Sequence, residues 1–446
     1  YAKENNLYVY DLASNKSTPI TTDGQKNSII NGITDWVYEE EFAFVKAFDW
    51  SADSKKVAYI RFDESQVPEF SMSMFGKELY PMMQTFKYPK AGEKNALVSL
   101  HIYDVNSNAI KNVNLGNYND FYIARMKWTN DANTLSAQVL NRHQNNLDLL
   151  FIDGNSGTAK VALNEKDKAY VDVTDNLTFL KDNSFIWTSE KDGFNHVYLY
   201  DKNGKLKNQL TKGKWEVTNY YGLDEKTNTV FYQSVENGSI NRDVYRIGLD
   251  GKNKVRLSQN TGTNAATFSP NFQYYINTFS SASQPTTYTL NEAKAGKQVQ
   301  VIENNESLAA KLKSYNLPAK EFFVLKTAKG NELNAWMIKP KDFDPAKKYP
   351  VFMYQYSGPG SQQVNNEWNS TDDYWFMMLS QQGYIVACVD GRGTGFKGAD
   401  FKKVTQLQLG KYEVEDQIDA AKVIGNYAFV DKSRIGIFGW SYGGFM

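Results

Sequence analysis

A chain of 446 residues, 41% of them hydrophobic, is long enough for two domains with separate cores. Lysine plus arginine equals aspartate plus glutamate at 50 each, and this balance argues against nucleic acid or an anionic membrane as the main partner. Apolar runs such as 384–389 are too short to span a membrane, and a single cysteine excludes an intrachain disulfide framework.

The first 300 residues repeat one pattern, in which an apolar strand with alternating side chains is followed by a polar turn. This pattern is typical of β-hairpins. The predicted strands are 7–11, 100–104, 149–153, 196–201, 244–250 and 287–291. Their turn acids recur every 48 or 49 residues, at Asp104, Asp153, Asp201 and Asp250, and Asn291 follows after 41. A repeat of about 40–50 residues indicates a β-propeller. A β-sandwich is the alternative, although sandwiches do not repeat at this interval.

One unit of this repeat is much longer than the others. Asp11 and Asp104 are 93 residues apart, so about 45 residues are inserted, and long insertions in compact folds are usually functional. The insertion carries three adjacent carboxylates, Glu39, Glu40 and Glu41. Because like charges repel, the residue types alone favour a solvated acidic turn over a binding site at this point.

From about residue 320 the pattern changes to strands that alternate with helices. A hairpin is predicted around Lys329 and Gly330. Buried strands are predicted at 351–354, 385–389 and 435–438, and helices at 372–381 and 414–424. This alternation predicts a parallel sheet covered by helices on both faces. Cys388 lies in the second strand and is expected to be a buried structural side chain and not a reactive thiol.

The second predicted helix has an apolar side that is expected to face the core. Its members are Val414, Ile418, Ala421 and Ile424. Residues 304–317 are the expected linker between the two halves. The predicted domains are therefore a β-propeller domain over 1–305 and part of an α/β domain over 306–446.

The last predicted strand leads directly into Gly439-Trp440-Ser441-Tyr442-Gly443, a Gly-x-Ser-x-Gly pattern. After a strand and before a helix, this pattern marks a sharp turn that lifts the serine hydroxyl above the sheet. Side chains at the two glycines are expected to collide with neighbouring structure. Ser441 is the candidate nucleophile, and the backbone N–H of Tyr442 is a candidate donor to the oxyanion. The alternative is a glycine-rich turn that happens to contain a serine.

A serine nucleophile needs a general base and an orienting carboxylate, which follow the serine in chain order in this kind of fold. Only five residues follow Ser441. The three histidines all lie in the repeating half, where strand or loop roles are expected for them: His101, His143 and His196. The triad Asp and His are therefore expected beyond Met446. Both ends of the sequence indicate a fragment of a longer protein, and the chain alone is expected to have no peptidase activity.

The serine motif and six further segments resemble the prolyl oligopeptidase superfamily, specifically its dipeptidyl peptidase IV branch. The resemblance covers essentially the whole chain, and the six segments stand in family order. They are Asp-Trp-Val-Tyr-Glu-Glu-Glu (35–41), Tyr-Pro-Lys-Ala-Gly (88–92), Lys-Gly-Lys-Trp-Glu-Val (212–217), Tyr-Ser-Gly-Pro (356–359), Asp-Gly-Arg-Gly-Thr-Gly (390–395) and Glu-Val-Glu-Asp-Gln (413–417). The resemblance implies an eight-bladed propeller, here without its N-terminal blades, and an incomplete α/β-hydrolase domain, with the active site between them.

The resemblance also implies roles for individual residues. Glu40 and Glu41 match the family's double glutamate and are expected to bind the free α-ammonium of a peptide, so that two residues fit before the scissile bond. Tyr356 matches the second oxyanion donor, with a turn tyrosine as the alternative. Tyr442 is expected to line the pocket for the residue before the cleaved bond. The family's arginine for the substrate carbonyl is expected before Tyr1.

The expected activity is that of a serine exopeptidase that removes N-terminal X-Pro and X-Ala dipeptides, without a metal or cofactor. Two alternatives stay open. The double glutamate argues against an acylaminoacyl peptidase or oligopeptidase of the same superfamily, and Ser441 argues against a catalytically silent binding protein. Segments 390–395 and 413–417 are expected to be structural. Resemblance to bacterial members implies a homodimer in a periplasmic or secreted location.

Overall fold

The computed structural model describes residues 1–446, except for the side chain at position 370. Contacts divide the chain into two compact units. The first comprises Tyr1–Phe185 with Tyr200–Lys205, and the second comprises Ile186–Leu199 with Leu206–Met446. In the part of the chain that the structure describes, 31 strands and six helices are present, so the protein is dominated by β-structure.

The chain up to Glu303 consists almost entirely of antiparallel strands. In order these elements are β1 (Ala2–Lys3), β2 (Asn6–Asp11), β3 (Lys16–Pro19), β4 (Ile29–Asn31), α1 (Trp36–Glu40), β5 (Phe48–Trp50), β6 (Lys56–Asp63), β7 (Glu69–Met74), β8 (Met82–Lys87), β9 (Leu97–Asp104), β10 (Ala109–Asn112), β11 (Phe121–Trp128), β12 (Thr134–Asn141), β13 (Asn146–Asp153) and β14 (Ala159–Lys166). They continue with β15 (Thr178–Phe179), β16 (Phe185–Ser189), β17 (His196–Tyr200), β18 (Leu206–Gln209), β19 (Val217–Asp224), β20 (Thr229–Ser234), β21 (Asp243–Gly248), β22 (Val255–Arg256), β23 (Thr263–Phe268), β24 (Tyr274–Ser281), β25 (Gln284–Glu292) and β26 (Gln298–Glu303).

These strands form successive sheets in which neighbours in sequence are neighbours in space. Four of the sheets, β11–β14, β15–β18, β19–β22 and β23–β26, are four-stranded meanders. They are preceded by the three-stranded sheet β1–β3 and by a sheet in which β4 and β5 pair with β6, followed by β9 and β10. A meander of four antiparallel strands that recurs along a chain is the blade of a propeller. The predicted propeller fold is confirmed.

The repeat in the sequence comes from the third strand of each sheet and the turn after it. At the end of β9, Oδ1 of Asp104 accepts hydrogen bonds from the backbone N–H groups of Asn106 and Ser107 at 3.0 and 2.8 Å. After β13, Asp153 makes the same contacts with the two residues at 155 and 156. Aspartate recurs there because its short side chain can close the turn against its own backbone.

The inserted residues of the long unit form two separate elements. The first is α1, between β4 and β5, and the second is the β7–β8 hairpin, between β6 and β9. The hairpin is a two-stranded sheet of its own, paired from Glu69 with Lys87 to Met74 with Met82. The insertion therefore combines a small helix that carries the glutamates with an independent β-arm.

The remaining elements belong to the α/β part. They are α2 (Glu306–Ser314), β27 (Lys320–Lys326), β28 (Glu332–Ile338), β29 (Tyr349–Tyr354), α3 (Ser370–Gln381), β30 (Ile385–Asp390), α4 (Ala399–Lys403), α5 (Lys411–Gly425), β31 (Val430–Phe438) and α6 (Tyr442–Phe445). The strand order in the sheet is β27-β28-β30-β29-β31. β29 is parallel to β30 and β31, whereas β28 is antiparallel to β27 and β30. The predicted hairpin around Lys329 and Gly330 is therefore confirmed at one edge of the sheet, and the three predicted buried strands pair in parallel as expected.

Both faces of this sheet are covered, as predicted. On one face, Trp336 and Cys388 pack with Phe376 of α3, and on the other Met353 and Ala387 pack with the apolar residues of α5. Cys388 is fully buried, and burial raises the pKa of its thiol well above the ordinary value. The prediction that it is a structural side chain is confirmed.

The prediction for the core-facing side of α5 is confirmed only in part, because Ile424 is buried in the core and Ala421 packs against it, whereas the rest of the inward face differs. Its buried residues are largely polar: Glu413, Asp416, Gln417, Ala420 and Ile424. Ile418, which was expected in the core, is 49% exposed. The prediction assumed that the apolar side of the helix faces inward. In the structure three polar side chains face inward as well, because each has a hydrogen-bond partner at the end of the sheet.

One further expectation differs from the structure. β31 was expected to be buried, but within these 446 residues Ile437 is 56% exposed and Phe438 is 41% exposed. The reason is that β31 is an edge strand that pairs with β29 alone among the described strands. Most of the expected linker, 304–317, forms the helix α2. Its role as a linker and the domain boundary at 305/306 stay predictions.

Candidate active site

Ser441 occupies the turn between β31 and α6 with a backbone that L-residues rarely adopt. Its φ is 55° and its ψ is −117°. Conformations of this kind cost about 1–3 kcal/mol and persist only where surrounding structure enforces them. The turn therefore has the strained strand-to-helix geometry of a nucleophile elbow, and the serine itself is exposed.

The two glycines of the motif enforce this turn because the chain comes too close for any side chain. A Cβ at Gly439 would lie 2.2 Å from the carbonyl oxygen of Gly443. A Cβ at Gly443 would lie 2.5 Å from the carbonyl oxygen of Gln355. Both distances are shorter than real Cβ contacts, and both neighbours are backbone atoms. The predicted collision at the flanking glycines is confirmed.

Parallel pairing brings the end of β29 beside the elbow. Tyr354 of β29 is in register with Phe438 of β31, and the backbone N–H of Gln355 donates to the Phe438 carbonyl at 3.1 Å. The side-chain Nε2 of Gln355 donates to the carbonyl of Gly443 at 2.7 Å. Tyr356 follows directly, so its ring lies 6.2 Å from the ring of Tyr442, measured between centroids. The structure thus brings Tyr356, Ser441 and Tyr442 together at one edge of the sheet.

The phenol of Tyr442 is held by α5. Its hydroxyl donates to Oε1 of Glu413 at 2.7 Å, and the Glu413 side chain is fully buried. Burial and this hydrogen bond raise the pKa of the Tyr442 phenol above its ordinary value. The phenol therefore keeps its proton at neutral pH and acts as a hydrogen-bond donor towards the carboxylate.

The other buried polar residues of α5 hold the two neighbouring loops. Nε2 of Gln417 donates to the Val389 carbonyl at 2.8 Å and to Oγ of Ser357 at 3.3 Å. Asp416 accepts from the backbone N–H of Arg392 at 2.7 Å and also binds its guanidinium. One helix face thus contacts the loops after β29, β30 and β31.

The loop after β30 is tied down separately. The buried carboxylate of Asp390 accepts from the backbone N–H groups of Gln363 and Val364, at distances from 2.8 to 3.1 Å. Burial raises the pKa of Asp390 to about 6 despite these hydrogen bonds. These contacts agree with the structural role expected for segment 390–395.

Glu40 and Glu41 lie at the end of α1 in the first compact unit, and both are exposed. Asp35 caps this helix by accepting from the backbone N–H of Tyr38 at 3.0 Å. The buried hydroxyl of Tyr38 in turn accepts from the backbone N–H of Ile123 at 2.9 Å. The glutamates therefore stand in solvent on a short helix with a buried base, and their position relative to Ser441 stays a prediction.

Two of the three histidines are held inside the blade-like sheets. His101 bonds to Ser99 and Asn112, both at 2.8 Å, and His196 bonds to Thr211 and to a backbone carbonyl, both at 3.0 Å. Burial lowers the pKa of both imidazoles. These two residues have the structural roles expected for them.

Sequence reasoning missed the side chains that support the elbow. Gln355 was not singled out, and Glu413, Asp416 and Gln417 were expected to be structural only. A signal was available, because polar residues at positions i, i+3 and i+4 occupy one helix face. Such a face is buried only if it has polar partners, which here are the loops at the sheet edge.

The structure shows neither a membrane-spanning helix nor a cluster of metal ligands among the residues it describes. None of its described helices has the length and apolar character needed to cross a bilayer. No three His, Cys, Asp or Glu side chains of the described chain are grouped as a metal site. The expectation that the activity needs no metal or cofactor stays a prediction.

Two family models match the chain. Residues 1–286 match the dipeptidyl peptidase IV N-terminal region, and residues 369–446 match the prolyl oligopeptidase family. The first match covers the propeller part and the second covers the elbow.

Individual relatives agree with these matches. The chain is 34% identical over 477 residues to "Probable dipeptidyl-aminopeptidase B" of Phaeosphaeria nodorum, covering 100% of this chain and 52% of that protein. It is 32% identical over 464 residues to dipeptidyl peptidase 4 of Trichophyton equinum, covering 100% and 59%. The crystal structure of Porphyromonas gingivalis dipeptidyl peptidase 4 superposes with a TM-score of 0.96 at 47% identity, covering 99% of this chain and 63% of that one. The chain thus spans between half and two thirds of the length of these relatives.

Proposed function

Because this chain belongs to the dipeptidyl peptidase IV family, we propose that it is part of a serine exopeptidase that releases N-terminal X-Pro and X-Ala dipeptides. The observation that carries the proposal is the strained Ser441 between two glycines that tolerate no side chain. Strain of this kind is retained where it positions a reacting group. The names of the relatives support the release of dipeptides, and the preference for X-Pro and X-Ala is proposed from the family resemblance.

The proposed chemistry is acyl transfer to Ser441. Its Oγ attacks the carbonyl carbon of the second residue while a general base takes the hydroxyl proton, and the leaving amine then receives that proton. The resulting ester is hydrolysed by water, which regenerates the serine and releases the dipeptide. The backbone N–H of Tyr442 and the phenol of Tyr356 are the proposed oxyanion donors, and each such donor contributes about 10²–10³ in kcat.

We place the general base and its carboxylate in chain beyond residue 446. His101 and His196 are buried and bonded within their sheets, which supports this placement. The relatives also extend well beyond the length of this chain. The 446-residue chain alone is accordingly expected to show no serine-dependent hydrolysis, although Ser441 is present.

Glu40 and Glu41 are proposed to bind the free α-ammonium of the substrate. Their exposure on α1 leaves both carboxylates available to a ligand. An extended residue spans about 3.3 Å, so a fixed anionic anchor sets how many residues fit before the scissile bond. The proposed spacing admits two residues. A protected N-terminus would lack the positive charge and would also collide with the anchor.

The proposal is tested by hydrolysis of Gly-Pro-p-nitroanilide and its N-acetyl analogue by the full-length protein and by Ser441→Ala. The expected result is rapid release from the free substrate only, and none with the variant. Equal or faster cleavage of the acetylated substrate would instead identify an acylaminoacyl peptidase or oligopeptidase. Absence of cleavage by the full-length wild-type protein would favour a silent binding protein.

A homodimer is also proposed, with the β7–β8 hairpin as its contact surface. Phe75, Leu79 and Tyr80 at the tip of this arm are 80–89% exposed, and apolar side chains grouped in this way mark interaction sites. Replacing Phe75 and Leu79 with Ser is expected to convert a dimer into a monomer in light scattering. An unchanged mass would show that the arm is not the contact.

A periplasmic or secreted location is proposed from the family alone and is tested by cell fractionation.

A further inference from the structure

Glu413 is a buried carboxylate that the proposed chemistry does not use. It belongs to the inward face of α5 and is fully buried. Its Oε1 accepts from the hydroxyl of Tyr442, whereas its Oε2 is buried with no hydrogen-bond partner among the described residues. A buried carboxylate oxygen without a partner is destabilising, so stability does not explain the choice of glutamate at this position.

The contact joins the first turn of α5 to the residue after the nucleophile. The hydroxyl of Tyr442 donates to Oε1 of Glu413 at 2.7 Å. Because the tyrosine ring is rigid and its side-chain torsions are confined to a few rotamers, holding the hydroxyl restricts where the Cα and backbone N–H of Tyr442 can lie.

The neighbourhood of this contact contains both proposed oxyanion donors. The Tyr442 ring lies 6.2 Å from the ring of Tyr356, and the Cα of Tyr356 lies against Gly443, 3.1 Å from where a Cβ would be. Small rotations of the Tyr442 side chain would therefore move it against the Tyr356 segment. Misplacing a donor by about 1 Å can cost about 10²-fold in rate.

We propose that Glu413 is a positioning residue of the peptidase reaction, which fixes the Tyr442 phenol and thereby aims the Tyr442 backbone N–H at the oxyanion. The inference rests on the proposed function of Ser441 and Tyr442 and deepens it. It assigns a function to a segment, 413–417, that by sequence was only a structural landmark.

The test compares Glu413→Ala, Glu413→Gln and Tyr442→Phe in the full-length protein. Glu413→Gln keeps an acceptor for the phenol, so its kcat for Gly-Pro-p-nitroanilide should stay within about 3-fold of wild type. Glu413→Ala and Tyr442→Phe each remove the hydrogen bond and should lower kcat by about 10-fold or more, with KM changed less. The double variant should be no slower than the slower single variant, because both changes break one contact.

Two further readouts separate positioning from a merely structural role. A dipeptide boronic acid, which forms a tetrahedral adduct on the serine, should bind Glu413→Ala more weakly by the same factor as kcat falls, while the product dipeptide binds unchanged. The midpoint of thermal unfolding should not be lower for Glu413→Ala than for the matched control Glu415→Gln, a partly exposed glutamate of the same helix. A kcat loss accompanied by a large fall in the unfolding midpoint would overturn the proposal, as would full activity of Glu413→Ala.

Failure of the proposed function is recognised independently. The rate at which a small fluorophosphonate labels Ser441 depends on the nucleophile and the oxyanion donors but not on dipeptide recognition. If the wild-type protein is labelled but cleaves no dipeptide substrate, the proposed specificity fails. In that case slower labelling of Glu413→Ala, with Glu413→Gln as fast as wild type, would still support the role of Glu413. Equal labelling of all three would overturn it.

Discussion

The glutamate-bearing helix and the serine elbow are built in opposite ways. Glu40 and Glu41 stand in solvent on a helix of five residues, whose fixed points are the Asp35 cap and the buried Tyr38. At the elbow, close backbone contacts at Gly439 and Gly443 and hydrogen bonds with Gln355 and Glu413 hold the turn that carries the serine.

This difference follows from what each region is proposed to do. Recognition of an ammonium group requires exposed charge and tolerates small displacements, because Coulomb attraction falls off slowly with distance. Stabilisation of an oxyanion requires donors within hydrogen-bond distance of one point. This requires a backbone that is held in place by its surroundings. Variants of the two regions are therefore expected to fail in different ways.

The largest effect is expected from adding a side chain at Gly439, where the backbone leaves no room for one. In Gly439→Ala the new Cβ meets backbone atoms at 2.2 and 2.4 Å, which cannot move aside without breaking the turn. We expect the full-length protein to lose at least about 10³-fold in kcat/KM and more than about 2 kcal/mol in free energy of unfolding. Both are measured by steady-state kinetics and urea denaturation.

Gly436→Ala is the matched control for that substitution. Gly436 lies three residues earlier in β31, and a Cβ there would meet no atom of the 446-residue chain within 4 Å. When both variants are compared in the 446-residue chain, the stability of Gly436→Ala should stay close to wild type. If the two variants behave alike, crowding at the elbow is not what requires glycine at position 439.

The next effect in size is expected at the exposed glutamates. Glu40→Gln combined with Glu41→Gln removes both charges from α1 without burying or exposing any apolar surface. We expect kcat/KM for Gly-Pro-p-nitroanilide to fall by about 10² or more, while the unfolding midpoint stays unchanged. Glu39→Gln is the control, since Glu39 is exposed on the same helix. A double variant with wild-type kinetics would contradict the ammonium role.

A smaller effect, on stability and its pH dependence, is expected at the helix cap. Burial raises the pKa of Asp35 to about 6 from an ordinary value of 3.8. The folded protein therefore binds this proton more tightly than the unfolded chain, and the free energy of unfolding should fall as pH rises from about 4 to about 6. Asp35→Asn retains a capping side chain and should reduce this slope, gaining about 1–3 kcal/mol at pH 7.

The control for the Asp35 cap is Asp53, a carboxylate whose pKa is shifted in the opposite direction. Hydrogen bonds, chiefly from Ser51, lower the pKa of Asp53. Its stabilising contribution is present above the ordinary pKa and is lost as pH falls through the lowered value, so Asp53→Asn should reduce stability at neutral pH. Burial also raises the pKa of Glu64, to about 7. In Asp35→Asn, the free energy of unfolding should therefore still fall with pH, less steeply, up to about pH 7. An unchanged slope between pH 4 and 6 would contradict the assignment to Asp35.

The sequence predicted what depends on local chemistry. The turn acids Asp104 and Asp153 recur because each closes a turn with its own side chain, and from that period the propeller follows. The elbow was also predictable, since the glycine spacing reflects backbone contacts within a few residues of Ser441 and with the adjacent strand.

What could not be predicted depends on partners that are distant in sequence. The inward face of α5 is polar because its hydrogen-bond partners lie in three segments that the sheet brings together. The spacing of residues within one helix carries no information about such distant partners. The exposure of β31 follows from its place at the edge of the sheet. The roles of Glu40, Glu41 and Tyr356 stay predictions, because they depend on a substrate.

The central proposal, which stays a prediction, is that the glutamate helix and the elbow bind the two ends of one dipeptide. The most direct measurement is a crystal structure of the full-length protein with a glycyl-proline boronic acid bound to Ser441. We predict that the ligand ammonium lies within about 3 Å of carboxylate oxygens of both Glu40 and Glu41, with the boronate oxygen facing the Tyr442 N–H. A covalent adduct whose ammonium points into solvent, with both glutamates directed elsewhere, would contradict the account.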